Sequence, residues 1–508
     1  MAFFENRVQK DLFGETVVAD TTEEFILPDY MPEIGRVLRL CSTLLPDEPY
    51  LGTEGAEFSG RIEYRLLYSD GEGRLTEAPL EGRYRYRAGA EGGECAFTEE
   101  VLEGVSLRPT APRKLSVRAR VVARPHVMKT EALGVSPEAL MPEQVCEVIR
   151  REQSVVRTLP VFVPSLRSEG QFTLEEEDAR DLALVSASAS VLPERAEAHD
   201  GYVSVYGKLV CLCVLKKEGE TPFTRSYSLP FEEELTASNA CAGDLVTVRG
   251  ACPSPTVTLE EAGGGMLLSI DTEYSLSCLL HRNESTSLLC DLYAHGASYS
   301  LSRKSVVGES LLGAYTGNFT VSGELPLPAD FASEGRVLIP SFTVKESTPL
   351  VDGGRAVVEG VLGVSLLALG ADACDRTELS MPIRLELPLG CSLCDGDRIL
   401  CALSPVGGTV SASGGNVRLS TELSVSATAK RPFSASIPVA AVKGEYTPLP
   451  EGTLLAYYPT EEDSLFSIGK RYGVPLALLA KQNGIPDAGD AEWENPKLLD
   501  GYSYLLIG

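Results

Sequence analysis

Three stretches decide the fold of this chain: GRIEYRLLY (60–68), GKLVCLCVL (207–215) and GVLGVSLLA (360–368). Each opens on a glycine and then places an apolar or aromatic residue at every second position. The sets are Ile62, Tyr64, Leu66, Tyr68; Leu209, Cys211, Cys213, Leu215; and Leu362, Val364, Leu366, Ala368. A period of two is the signature of a strand with one face on a core. The opposite faces differ. Arg61, Glu63 and Arg65 occupy it in the first copy, and Val210, Leu212 and Val214 in the second. The second strand is therefore expected to be covered on both faces.

The surroundings repeat as well. Gly35-Arg36-Val37-Leu38 recurs as Gly335-Arg336-Val337-Leu338, each 25 residues before its strand-opening glycine, and LALV (182–185) stands in that place in the second copy. Some 55–60 residues downstream come further alternating runs: Leu115, Val117, Ala119, Val121; Leu268, Ile270, Thr272, Tyr274, Leu276; and Val417, Leu419, Thr421, Leu423, Val425. FGETVV (13–18), SVVRTLPVFV (154–163) and SVVGESLL (305–312) read as lead-in strands. Many short strands between Gly-, Asp- and Ser-rich turns predict antiparallel sandwiches or open barrels. SPEALMPEQVCEVIRRE (136–152) has a Ser at a cap position and apolar residues at helical spacing, which predicts a leading helix of the second copy.

The composition changes near residue 446. LLAYY (454–458) predicts a strand. Thr460 and Asp463 sit at cap positions for a helix whose face carries Leu465, Ile468 and Tyr472. Gly473 ends it, Pro475 opens a second helix that stops at Asn483-Gly484, and YSYLLI (502–507) closes as a strand. The predicted chain is mainly β. It has three tandem antiparallel sandwich or open-barrel-like repeat domains over 1–135, 136–298 and 299–445. A linker over 446–453 and a small β-α-α-β domain over 454–508 follow.

Composition narrows the function. Across 508 residues, 45 Lys and Arg face 72 Asp and Glu, a net charge of -27, which argues against nucleic acid as a partner. At 44% hydrophobic and 23% charged, the chain suits packed domains rather than disorder. MAFFENRVQKDLFGET lacks the apolar core of a secretion signal. The longest near-apolar run, VLGVSLLALGA (361–371), is too short for a transmembrane segment. A soluble cytosolic protein is expected. Thirteen Cys is an odd count for a disulfide framework. Cys391 and Cys394 have the spacing of half a zinc knuckle, but a second pair is missing, so Cys374, Cys391, Cys394 and Cys401 are expected to be half-buried thiols. His126, His199, His281 and His295 lie far apart and are expected at surfaces or edges. The chain has no P-loop, no GxSxG elbow and no HExxH. Runs such as Glu175–Asp178 and Glu232–Glu234 read as solvated charge. No catalytic residue, metal or cofactor is expected.

Two resemblances add to this reading. Glu462-Asp463-Ser464-Leu465, Ile468, Tyr472-Gly473, Leu479, Asn483 and Leu499-x-Gly501 resemble a LysM domain. FILPDYMPEIGRVL (25–38) resembles the signature of the SipL-type sporulation repeat, with weaker echoes at Phe172-Thr173-Leu174 and Leu325-Pro326-Leu327-Pro328. Three such repeats before a LysM domain is the layout of SipL-like spore coat morphogenetic proteins. The resemblance implies a non-enzymatic scaffold in the mother-cell cytoplasm at the forespore outer surface. It implies a partner too, the coat-basement ATPase, stage IV sporulation protein A, engaged through the LysM domain.

Some residues depart from the family. Glu462 stands where sugar-binding LysM domains often have Gly, and the stretch Asp487–Lys497 is long. Residues 451–508 hold four Lys and Arg against nine Asp and Glu, so anionic glycan is not drawn there electrostatically. Peptidoglycan binding is the alternative function, and a hydrolase site hidden in the repeats a remote third. The candidate partner-binding residues are Trp493, Lys470, Arg471, Lys481 and Asn483. Trp493, the only Trp, lies between Glu492 and Glu494 and reads either as a partner anchor or as a plug on the small domain. Lys470, Arg471 and Lys481 are its basic feature, for which helix solvation is the simpler role. Exposed sandwich edges leave self-association possible.

Overall fold

The computed structural model describes residues 6–133, 135–174, 182–217, 220–262, 265–370, 374–447, 450, 452–486 and 493–508. The chain is mainly β, with 71% strand, 5% helix and several antiparallel sheets. Its first part contains β1 (Asn6–Asp11), β2 (Val17–Ile26), β3 (Arg36–Pro46), β4 (Tyr50–Gly52), β5 (Gly55–Ser69), β6 (Leu75–Gly89), β7 (Cys95–Ala111) and β8 (Lys114–Leu133). β5 lies between β3 and β6 in one sheet, and β8 is flanked by β1, β2 and β7 in the other.

The next part repeats this order after a single helical turn, α1 (Pro137–Leu140). It contains β9 (Cys146–Leu174), β10 (Leu182–His199), β11 (Tyr202–Lys217), β12 (Phe223–Thr236), β13 (Leu245–Ala251), β14 (Thr256–Ala262) and β15 (Gly265–Ala294). β11 lies between β10 and β12, while β15 pairs with β9, β13 and β14. A third set follows: β16 (Tyr299–Pro326), β17 (Val337–Asp352), β18 (Arg355–Leu369), β19 (Cys374–Leu387), β20 (Arg398–Ser413) and β21 (Asn416–Lys443). Here β18 lies between β17 and β19, and β21 between β16 and β20. Each pair of sheets encloses its own apolar core.

The alternating residues are what fill those cores. Ile62, Tyr64, Leu66 and Tyr68, their counterparts on β11 and β18, and the apolar residues of the downstream runs are all buried. The opening glycines have a steric reason. A Cβ on Gly60 would lie 2.7 Å from the Leu45 carbonyl oxygen, one on Gly207 2.4 Å from that of Leu192, and one on Gly360 2.3 Å from that of Glu346. All three therefore permit the neighbouring strand to approach at the same place. The lead-in turns also match. Leu27 donates to the Arg113 carbonyl at 2.9 Å and Met31 to that of Pro28 at 3.0 Å, while Leu327 donates to Gly415 at 2.9 Å and Phe331 to Pro328 at 3.0 Å.

The three sandwiches close on one another. Leu67, Val214 and Leu367, each seven residues past its glycine, meet in a buried apolar hub with Leu38, Ile339 and Leu369. A second cluster joins Val8 of the first sandwich to Val155 and Leu288 of the second and Val306 and Ile437 of the third. Arg249 of the second sandwich ties all three, donating to Glu99 at 3.0 Å and to Ser426 at 3.3 Å. Beside the hub, Glu77 is half-buried 3.8 Å from Arg65 and faces the backbone N–H of Ala187. Burial pushes its carboxyl up to about 7, against the opposing pull of Arg65 and Arg39. On β11, Val214 is buried and Val210 and Leu212 are half-buried, so this strand is covered on both faces.

The leading helix expected over 136–152 is corrected. Only Pro137–Leu140 is helical. Pro142 cannot continue a helix and disfavours the helical region at Met141, which has φ -135 and ψ 78. Glu143 then turns the chain at φ 61. From Cys146 onward the residues pair with the end of β15, with Cys146 opposite Ala294 and Arg151 opposite Leu288. Val148 and Ile149 are β-branched, and they suit that ladder better than a helix.

Candidate interaction surface

The last residues form β22 (Leu455–Tyr457), α2 (Leu465–Tyr472), α3 (Leu476–Gln482), a 3-10 turn at Pro496–Leu499 and β23 (Leu505–Ile507), with β22 antiparallel to β23. The helix cap is Ser464, not Thr460 or Asp463. Its hydroxyl accepts from the Ser467 backbone at 3.1 Å, and Ser467 Oγ accepts from the Ser464 backbone at 2.9 Å. Asp463 instead braces the preceding turn. It accepts from Tyr457 Oη at 2.6 Å and from the Thr460 backbone and hydroxyl at 2.9 Å. Burial opposes its ionisation, but these bonds and Arg471 outweigh that and hold its carboxyl below the usual range. Gly473 caps α2 at φ 64.

This small unit is seated on the ends of β9 and β15. Ile149 and Tyr293 of that ladder belong to its buried core. The Tyr293 ring meets Phe466 edge-on at 5.1 Å, and its hydroxyl donates to the Val474 carbonyl at 2.7 Å. Gly469 makes room for it, since a Cβ there would lie 2.4 Å from Tyr293 Oη. Gly296 N–H donates to the Gly473 carbonyl at 2.9 Å, and Tyr446 Oη to that of Tyr472 at 2.9 Å. Glu147 accepts from the Leu476 backbone at 3.1 Å and meets His295 Nε2 at 2.9 Å.

The small unit and its seat together absorb most of the residues expected to bind a partner. Trp493 is 7% exposed and lies in the small core, the arrangement of a plug. Lys470 Nζ reaches Asp291 at 2.6 Å, and Asp291 also holds Arg303 at 2.8 Å. Arg471 contacts Asp463 at 3.2 Å and Tyr457, whose ring it overlies. Asn483 clamps β23, donating to the Leu479 and Leu506 carbonyls at 2.8 and 2.9 Å and accepting from the Leu506 N–H at 2.6 Å. Lys481 is exposed on α3. Glu494 pairs with Arg151 of β9 at 2.9 Å. Of the long stretch Asp487–Lys497, residues 487–492, Glu492 included, lie outside the described residues.

Two aromatic residues of the small unit do face solvent. Tyr458 is 71% and Tyr504 52% exposed, with ring centroids 6.3 Å apart. They directly follow and precede the β22–β23 pair Tyr457–Leu505. The signal was present in the sequence: in AYY and YSYLL they are out of phase with the buried strand positions. Leu454 and Leu478 of the same unit are also exposed.

A shallow cleft on the third sandwich is lined by Asp352, Arg355, Arg384 and Glu386, with Arg355 paired to Glu386 at 2.8 Å and Arg384 to Asp352 and Glu359. Cys374 lies at the hub beside Arg36. Cys374, Cys391 and Cys401 are half-buried as expected, whereas Cys394 is exposed. Burial pushes the Cys401 thiol up to about 12. Among the described residues, no three His, Cys, Asp or Glu gather as a metal site. His281 departs from the expected surface placement. It is buried between Thr158 at 3.2 Å and Thr247 at 3.1 Å, and burial pushes its pKa down to about 3. His126 pairs with Asp11 at 2.6 Å and stacks on Phe97. Among the described residues, no helix is long and apolar enough to cross a membrane. Comparisons with protein-family models, curated proteins and solved structures found no match to this chain.

Proposed function

We propose that this chain is a non-enzymatic spore-envelope scaffold of the mother cell, built from three SipL-type repeats and a LysM domain. In this reading the LysM domain captures the coat-basement ATPase, a stage IV sporulation protein A-like protein, at the forespore surface. The observation that carries it is the exposed pair Tyr458 and Tyr504 on a unit seated on the second sandwich. Aromatic residues that present a flat apolar face at little entropic cost are favoured anchors in protein interfaces. The seat adds preorganisation: the aromatic pair is held relative to the repeats rather than swinging on a tether. The motif positions in 25–38 and 462–501 and the recurring strand order support the family reading.

The test is co-purification of the ATPase with the full chain and with Tyr458→Ala/Tyr504→Ala. Loss of two anchors is expected to lower affinity at least about tenfold, a change of about 1.4 kcal/mol. Equal recovery of the ATPase would sink the reading. Removing residues 453–508 altogether is a poorer test, because it uncovers Ile149 and Tyr293.

Peptidoglycan binding is the second reading, and the same exposed rings favour it, since tyrosine faces also stack on sugars. The acidic balance of 451–508 weighs against it. Salt-insensitive retention of the full chain on purified peptidoglycan, lost in the double Tyr variant, would favour the glycan.

A further inference from the structure

The equivalent outer faces of the three sandwiches carry different charge. In a chain of net charge -27, residues 101–135 hold seven Lys and Arg but two Asp and Glu. The pairing register shows where these fall. On β8, Lys114, Arg118, Arg120 and Arg124 point away from the core that Leu115, Val117, Ala119 and Val121 fill, and all four are exposed. Directly paired residues share a face. Arg108 of β7 lies opposite Ser116, and Asp20 and Glu24 of β2 lie opposite Arg120 and Ser116. Arg120 pairs with Glu103 at 2.8 Å. Val18, Val122 and Val101 form one row across this face, with Val18 42% and Val101 58% exposed. Arg108, Lys114 and Arg124 form no ion pair among the described residues.

The corresponding face of the second sandwich is acidic. On β15, Asp271 lies opposite Glu169 and Glu273 opposite Arg167, while Glu260 of β14 lies opposite Leu267. Arg167 binds Asp271 at 2.6 Å and Glu169 at 3.0 Å, one base among four acids. The third sandwich is near neutral there, with Arg418 beside Glu324 at 3.6 Å and Ser420 beside Ser322 and Thr409.

We propose that the basic sheet face of the first sandwich docks on the acidic sheet face of the second sandwich in another copy of this chain. Both faces are solvent-exposed within one chain, so neither covers the other. Complementary charge at close range favours the contact, and the valine row adds exposed apolar area at its centre. The contact is heterologous, because two different patches meet, and a pair of chains keeps one free patch of each kind. Such contacts propagate into rings or filaments. This inference stands independently of the ATPase reading.

Salt sets the test condition. At about 0.1 M the screening length is about 10 Å, which damps repulsion between whole chains while leaving contact pairs largely intact; at about 1 M it is about 3 Å and the contact pairs weaken too. Analytical ultracentrifugation of the full chain from about 1 to about 100 μM, a range spanning a micromolar contact, is expected to show at least a twofold rise in mean mass at the lower salt. That rise is lost at the higher salt. Arg118→Glu/Arg120→Glu alone and Glu260→Lys/Glu273→Lys alone are each expected to stay monomeric. Mixing the two restores association, because reversed faces again find opposite charge. Lys114→Glu/Arg124→Glu repeats the first arm at other rows of the same face, should the first variant fold poorly. A monomeric wild-type chain, association indifferent to the reversals, or a mixture that fails to recover would each overturn the proposal. So would a monomeric chain that binds phosphatidylglycerol vesicles through Arg118 and Arg120.

Discussion

The axial hub and the seat of the small domain are both places where separate parts of the chain join, and they are built differently. The buried members of the hub are all aliphatic: Leu38, Leu67, Val214, Ile339, Leu367 and Leu369 are each at most 4% exposed. The seat mixes one aromatic contact with hydrogen bonds and the ion pair Lys470–Asp291. Apolar burial is non-directional, so three sandwiches of similar shape can share one hub with only a size match. Hydrogen bonds and edge-on rings demand geometry, so the seat admits one unit in one orientation.

That contrast can be broken at the hub first. Leu367→Ala removes a buried side chain shared by all three sandwiches and is expected to cost about 2–5 kcal/mol. Denaturant titration followed by circular dichroism measures it, and a change below about 1 kcal/mol would mean the hub is not a stabilising joint.

Glu77 sharpens the picture next to the hub through pH. Its folded pKa, up at about 7, exceeds its ordinary value of 4.5, so the folded chain favours the proton. The associated stability is fully present below about 4.5 and is lost as pH rises through about 7, by at most about 3 kcal/mol from linkage. Glu77→Gln is expected to flatten stability across that window. An unchanged slope would show that Glu77 ionises without strain.

The smallest expected effect lies at the seat. Gly469→Ala places a methyl against Tyr293 Oη and is expected to cost about 1–3 kcal/mol, confined to residues 446–508. Faster proteolytic cleavage within 446–453, with the repeats intact, is the readout. Cooperative loss of the whole fold would show that seat and hub are one unit.

How much was legible depended on whether a contact was local in period. The alternation on β5, β11 and β18 named the core residues, because a strand's two faces are written into every second position. Gly473 and Asn483-Gly484 marked helix ends for a similarly local reason. The helix expected over 136–152 failed because apolar spacing there suited two periods, and pairing with the end of β15, far along the chain, decided between them. Lys470, Arg471, Asn483 and Trp493 looked available because their partners Asp291, Asp463, Leu506 and the small core are not visible from their neighbours. Tyr458 and Tyr504 were legible as out-of-phase residues and were passed over for the rarer Trp.

The sequence by itself determined the β class, the buried side of each central strand and the β-α-α-β order of the last residues, all consequences of periodicity and capping. The tertiary structure alone decided that Leu67, Val214 and Leu367 meet, that the last unit is seated on β9 and β15, and which aromatics stay exposed. These depend on which surfaces come together across hundreds of residues, and no local pattern encodes that.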